Sequence, residues 1–383
     1  MNASSRRRFL QSAIGGSILI PSMLRGQAPI DGKGEGGDTI RDDPPATTPG
    51  ASRRRGRRRG TEEVAPTRPK ALAEGSTIAL CAPASGVARG EELDAAATLR
   101  RLGFNVRLGR FLNKGYGYLA ARDEDRAKEF MDFVRDPEVN AIMAVRGGYG
   151  VMRILPMIDF EEIRRNPKIV MGYSDITALV NPIFQKSGVI GFHGPVASST
   201  FDTYTLDSFR RTVMAASPAG TFSESDEFQG TVFGSARAST IVPGKAQGRL
   251  VGGNLSLVTA MMGTSYEIET KGRILFLEEI EEEPYRVDRM LMTLVLSGRL
   301  ADCAGVALGR FTKCEAPSRG GELNMSLSLE EVVRGILEPL KIPTIYGLSI
   351  GHIRSKLTVP VGGLATIDAE AKTITIDEAV VVQ

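Results

Sequence analysis

Tryptophan is absent from this chain, and cysteine and histidine are scarce: three Cys and two His among 383 residues. Cys81, Cys303 and Cys314 are too few and too widely spaced for a disulfide framework, and no C-x-x-C pair suggests zinc or dithiol chemistry. Any histidine-dependent reaction must use His193 or His352. The one apolar stretch near the N terminus, from Ser12 to Leu24, is too short and too rich in Gly and Ser for a stable membrane span. A basic folded surface is lacking too, although the formal net charge is +3. The first 70 residues hold 14 of the 48 basic and 7 of the 45 acidic side chains, a net of +7, which leaves the remainder at −4. A nucleic-acid-binding domain carries its positive charge on the fold itself, so that class is disfavoured.

With 42% hydrophobic and 24% charged residues, the composition is that of an ordinary globular protein. The first 72 residues do not share it. Arg6-Arg7-Arg8-Phe9-Leu10 followed by a weakly apolar run reads as a twin-arginine-type export signal over residues 1–28, which predicts a periplasmic location. Residues 29–72 are rich in Gly, Pro and Arg, include "ASRRRGRRRG", and lack hydrophobic periodicity, so a disordered linker is expected.

From Ser76 onward, strand and helix patterns alternate. "TIALCA" (77–82), "FNVRL", "AIMAV" (141–145), "IVM" and "VIGF" (189–192) read as strands. Between them, 91–103 places Leu93, Ala96, Leu99 and Leu102 on one helical face, and 123–136 is amphipathic. Such alternation predicts an α/β fold: a doubly wound, mainly parallel sheet domain over 73–215. Residues 216–245 lose the pattern and read as a linker with a hairpin. A smaller mixed α/β domain over 246–383 is expected to contain "RILFLE" (273–278), a helix from Pro284 to Leu296, the strand "GVALG", a helix near 328–340 and a strand-rich end.

Ligands of parallel sheets bind at the carboxyl ends of the strands. Two Gly-rich corners lie there: Arg146-Gly147-Gly148-Tyr149-Gly150, and Gly172-Tyr173-Ser174-Asp175. A strand that turns through Gly-x-Ser into a helix is how an α/β fold presents a nucleophile, although Ser174 or Asp175 as a helix cap would leave the same trace. The corner at 147–150 lacks the spacing and lysine of a phosphate loop; its glycines suit backbone N–H groups that approach a reacting oxygen. A nucleophilic Ser174 needs a base, and the residues alone do not choose between His193, which ends a strand of the first domain, and His352, in a polar loop. Of the acids 278–283, Glu278 stands apart because it directly ends an apolar strand. The others are expected to be solvated or to lie at a helix start.

Several stretches, taken in order, resemble the LD-carboxypeptidase family of serine peptidases over about residues 73 to 378. They are "GSTIALCAPAS", "RGGYGVMRILPMID", "NPKIVMGYSDITAL", "FHGP", "GRLVGGNLSLVTAMMGTSYE", "GRILFLEEIEEEPYRVDRML" and "GHIRSKLTVPVG". The resemblance implies Ser174 as nucleophile, His352 as base and Glu278 as the triad carboxylate. It also implies oxyanion donors at the backbone N–H of Asp175 and Gly148, and a structural role for His193. No metal or organic cofactor is implied. The expected substrate is a peptidoglycan-derived peptide cleaved before a C-terminal D-residue, with a homodimer left open beside the monomer. A carboxypeptidase must read a terminal carboxylate, and Asn254, Arg146 and Arg286 are the candidates. Each also has an ordinary alternative, as a helix cap or an ion-pair partner. Cleavage of peptide-nucleotide conjugates, as in microcin immunity, and muropeptide binding without catalysis are the alternatives.

Overall fold

The computed structural model describes residues 66–225, 237–316 and 326–383. The export-type signal, the linker up to residue 65, and 226–236 of the second linker lie outside the described residues. The described residues form one compact unit.

The first half runs β1 (Thr77–Cys81), α1 (Glu91–Arg101), β2 (Asn105–Leu108), α2 (Asp123–Arg135), β3 (Ala141–Ala144), α3 (Val151–Ile154), α4 (Phe160–Arg165), β4 (Ile169–Gly172), α5 (Thr177–Ser187), β5 (Gly191–His193) and α6 (Thr203–Val213). Short apolar runs bury completely as β3, β4 and β5, and as β1 beyond its first residue Thr77, as strands covered on both faces do. Helix α1 begins with Glu91, Glu92 and Asp94 and ends with Arg100 and Arg101, charges that oppose the helix dipole at each end. Its buried stripe is Ala95, Ala96 and Leu99, while Leu93, expected on that face, is 55% exposed.

The second half runs β6 (Gly220–Phe222), β7 (Ser239–Val242), β8 (Lys245–Asn254), α7 (Leu255–Ala260), β9 (Ile274–Ile280), α8 (Pro284–Leu296), β10 (Gly305–Thr312), α9 (Leu329–Leu337), β11 (Thr344–Tyr346), β12 (Val359–Val361), β13 (Leu364–Asp368) and β14 (Thr373–Ile376). Helix α9 starts in a capping box, with Ser328 and Glu331 bonding each other's backbone N–H.

Two mixed sheets result. The six-stranded sheet has the order β12-β5-β4-β3-β1-β2, parallel except for β12. The eight-stranded sheet has the order β6-β14-β13-β8-β9-β10-β11-β7, with β8 to β11 parallel. The segment expected as a linker with a hairpin therefore does something else. Strand β6 pairs with β14 and β7 with β11, at opposite edges of one sheet, so the two cannot form a hairpin. Strand β12 crosses from the C-terminal half to close the edge of the first sheet against β5. These pairings are made with partners far away in the chain, which local patterning does not encode.

In the first sheet the chain leaves β1 towards β2 on one side and β3 towards β4 on the other. A crevice opens where the order reverses, at the carboxyl ends of β1 and β3.

Candidate active site

A cleft of about 210 Å³ occupies that crevice. Four successive loops line it: Val87 and Glu91 after β1, Arg146, Gly147 and Gly148 after β3, Tyr173 and Ser174 after β4, and Val196 and Ser198 after β5. His352 enters from the loop that follows β11.

Ser174 opens a single 3-10 turn, Ser174–Ile176, between β4 and α5. Its φ is 64°, a left-handed conformation that strains a residue with a side chain. The hydroxyl is thereby carried on a sharp strand-to-helix turn, half-buried in the cleft. The glycine turn packs directly on it. A Cβ on Gly147 would lie 2.6 Å from Ser174 Cβ and 2.9 Å from its Oγ, so only glycine fits.

Three side chains hold this turn in place, of which only Asp175 was named from the sequence, as a helix cap. Asp175, 1% exposed, accepts a hydrogen bond at Oδ2 from Val151 N at 2.8 Å and so caps α3. Burial pushes its carboxyl up to about 6, against the backbone bonds and the Arg126 charge that favour the anion. Arg126, fully buried, donates to the carbonyls of Pro83, Gly150 and Ala121 and to Asp123. Ser85 donates to Tyr118 O at 2.6 Å and accepts from Tyr149 N at 3.2 Å. Arg126 and Ser85 thus tie the loops after β1 and β3 together. The signal available in the sequence was a lone arginine on the apolar side of α2, and the final Ser of "CAPAS".

Glu278 is fully buried near the end of β9, beside Asn254 of β8. Its Oε2 lies 2.7 Å from His352 Nδ1. A carboxylate only accepts, so Nδ1 carries the proton of this bond and Nε2 is the free basic nitrogen. The preceding Gly351, at φ 116°, lets the loop close: a Cβ there would meet Glu278 Oε2 at 2.7 Å. The His352 side chain is 14% exposed. The Tyr173 ring stands edge-on to the imidazole at 4.9 Å between centroids. Ser174 and His352 line one cleft, and among the described residues no hydrogen bond joins them; such contacts are often loose without substrate.

His193 has a different setting. It is 1% exposed, packs edge-on against Phe276 at 5.2 Å, and burial lowers its pKa to about 4, which leaves it neutral. It does not line the cleft. Glu279, expected among the solvated acids, is instead buried in β9: the strand continues through it, and Asn254 Nδ2, Ser256 N, Ser256 Oγ and Ile280 N all donate to it. Glu281 and Glu282 do pair at the surface, with Lys313 and Arg286, and Glu283 precedes α8.

The three carboxylate-reading candidates separate. Asn254 is buried, caps α7 through Leu257 N and spends its amide on Glu279. Arg286 bonds Tyr285 and pairs with Glu282, away from the cleft. Arg146 alone of the three lines the cleft, exposed and with no ion-pair partner among the described residues. The thiols offer no rival nucleophile: all three Cys are buried, and burial raises each pKa, that of Cys303 and Cys314 to about 12. Among the described residues no cluster of His, Cys, Asp and Glu is arranged to hold a metal ion, and no helix is long and apolar enough to cross a membrane.

Comparison with known proteins gives this geometry a family. Residues 78–194 match the LD-carboxypeptidase N-terminal domain and residues 247–367 the LD-carboxypeptidase C-terminal domain. The "Probable murein peptide carboxypeptidase" of Bacillus subtilis is 40% identical over 318 residues, which cover 82% of this chain and 95% of that protein. The microcin C7 self-immunity protein MccF, in complex with glutamyl sulfamoyl guanosine, superposes with a TM-score of 0.73 at 25% identity, over 83% of this chain and 100% of that one. The muramoyltetrapeptide carboxypeptidase of Oxalobacter formigenes superposes with a TM-score of 0.67 at 30% identity, over 78% and 97%. Two mixed sheets in this order, a serine on a strained turn and matches across both halves lead to one conclusion: the chain belongs to the LD-carboxypeptidase family of peptidases.

Proposed function

We propose that the protein is a serine carboxypeptidase that removes a C-terminal D-residue from murein peptides, and that Ser174, His352 and Glu278 perform the reaction. The observation that carries this reading is the 2.7 Å contact between His352 Nδ1 and Glu278 Oε2, on an imidazole that shares a cleft with Ser174. In the reaction, His352 Nε2 takes the proton of the Ser174 hydroxyl as Oγ attacks the amide carbon. Glu278 keeps the imidazole in its working tautomer and stabilises the imidazolium. The backbone N–H groups of Gly148 and Asp175 serve the oxyanion. His352 then protonates the departing amine, and water, activated by the same base, releases the acyl group.

Arg146 is the group that reads the terminal carboxylate, as a cation that lines the cleft and has no ion-pair partner among the described residues. The cleft volume of about 210 Å³ lies below the roughly 300–1,000 Å³ usual for drug-sized ligands, which suits a small terminal residue better than a nucleotide. The Arg6-Arg7 pair ahead of Phe9-Leu10 supports a substrate met outside the cytoplasm.

The test compares a murein tetrapeptide, its C-terminal amide and a peptide-nucleotide conjugate, with wild type and Arg146→Ala. Losing one charge-assisted contact costs about 1.5–3 kcal/mol, roughly ten- to hundredfold in kcat/KM. The amide is expected to lose that much with wild type and little with Arg146→Ala. Equal cleavage of acid and amide by wild type overturns the carboxypeptidase reading, and preference for the conjugate turns it towards the microcin-type substrate.

A further inference from the structure

Two turns line the cleft beside each other: the glycine turn after β3, with Gly147 and Gly148, and the turn after β4, with Tyr173 and Ser174. An oxyanion hole built from both works only if their spacing is fixed, because each donor must sit about 2.7–3.1 Å from the oxygen that becomes charged. Neither turn is stiff by itself. Gly148 and Gly150 take φ of 121° and 128°, where the glycine backbone moves freely. Ser174, at φ 64°, is held in a conformation that a residue with a side chain would leave if released.

One side chain bridges them. Asp175, next to Ser174, accepts at Oδ2 from the N–H of Val151, the residue directly after the glycine turn, at 2.8 Å. Every hydrogen bond that joins the two turns among the described residues is made by this carboxylate. The other anchors of the glycine turn come from elsewhere. Ser85 Oγ accepts from Tyr149 N at 3.2 Å, and Arg126 donates to Gly150 O at 3.1 Å. They fix the glycine turn to the loop after β1 and to α2, and not to Ser174. Helix α3 has only four residues, so capping it gives little reason to bury a carboxylate, a costly group in the interior. A charged acceptor makes a shorter and stronger bond than a neutral one, which suits a spacer between two turns.

We propose that Asp175 is a positioning residue of the reaction: its side chain, through the bond to Val151 N, sets the spacing between the two oxyanion donors, one of which is its own backbone N–H. The proposal rests on the reading of Ser174 as nucleophile with Gly148 and Asp175 N–H as those donors. It assigns the carboxylate no contact with substrate, since the group is 1% exposed and turned towards α3.

The experiment measures kcat and KM on a murein tetrapeptide for wild type, Asp175→Ala and Asp175→Asn. Beside them it measures the affinity of two unreactive probes: the tripeptide product, and a phosphinate analogue whose tetrahedral anion stands where the oxyanion forms. Asp175→Ala is expected to lower kcat about 100- to 1,000-fold, as the loss of one oxyanion donor does, with KM changed less than about threefold. Phosphinate affinity is expected to fall in parallel and product affinity to stay, because only the tetrahedral state uses both donors. Asp175→Asn keeps an acceptor of the same size without the charge, and is expected to stay within about tenfold of wild type in kcat. A folded Asp175→Ala with kcat within about threefold of wild type, or one that loses product and phosphinate affinity equally, overturns the proposal. If Asp175→Ala does not fold, Asp175→Asn decides: a variant that melts with wild type yet loses more than about a hundredfold in kcat overturns it as well. Turnover by Ser174→Ala, or a wild type that binds phosphinate no better than product, would instead overturn the nucleophile and oxyanion reading beneath it, so the two failures are distinguishable.

Discussion

Gly147→Ala is the sharpest steric test of the site. The added methyl would lie 2.6 Å from Ser174 Cβ, 2.9 Å from Oγ and 3.2 Å from Tyr173 O. Carbon atoms in contact prefer about 3.5–4.0 Å, so the two loops must separate by about 1 Å. Neither yields easily. Ser174 is fixed between β4 and α5, and the glycine turn is tied down by Arg126 and the Asp175 carboxylate. Gly147 is not among the glycines with positive φ, so alanine adds no backbone strain of its own and the effect is a displacement of Ser174. A misplacement of about 1 Å costs about 100-fold in rate, about 2.7 kcal/mol in the barrier. Overpacking itself costs about 1–3 kcal/mol of stability. The assay is kcat and KM on a murein tetrapeptide, with a thermal melt to show a folded variant. The expected result is a kcat lowered about 100-fold with a smaller change in KM. A folded Gly147→Ala with kcat within about threefold of wild type would refute the packing of this turn on Ser174.

Three further outcomes follow from the same structure. Ser174→Gly and Ser174→Ala should both be inactive, yet the glycine variant should be the more stable by about 1 kcal/mol, because it relieves the left-handed φ of 64°; a thermal melt in which alanine is equal or better removes the strain argument. His352→Ala should lose nearly as much turnover as a triad member does, on the order of 10⁴-fold or more, whereas His193→Ala should lose mainly stability, as a buried side chain leaves a cavity; an inactive His193→Ala beside an active His352→Ala would reverse the assignment of the base. Replacing Arg6 and Arg7 by Lys should hold active enzyme in the cytoplasm, and fractionation that finds the unaltered protein wholly cytoplasmic would end the export proposal.

Strands β1, β3, β4 and β9 were legible because each contains a short unbroken apolar run. The turn at Ser174 was legible because it joins such a strand to a helix. Glu278 could be picked from its acidic neighbours because it follows Ile274-Leu275-Phe276-Leu277 without a break. Its neighbour Glu279 was misjudged for a reason in the same strand: β9 runs on to Ile280, and the donors that make burial tolerable, from Asn254 and Ser256, lie on β8 and α7. The choice between His193 and His352 was not in local sequence at all. It depends on which imidazole reaches the Glu278 carboxylate, and that is set by packing. The crossing of β12 to the first sheet and the grip of Arg126 on two loops are likewise long-range contacts with no local period or motif to announce them.

The most direct measurement of the central claim is to incubate the full chain with a murein tetrapeptide and follow the products by mass spectrometry, with Ser174→Ala alongside. The account predicts that the wild-type protein releases a single C-terminal D-residue and that Ser174→Ala releases none. Release by Ser174→Ala at the wild-type rate, or cleavage by the wild type at an internal bond of the peptide, would contradict it.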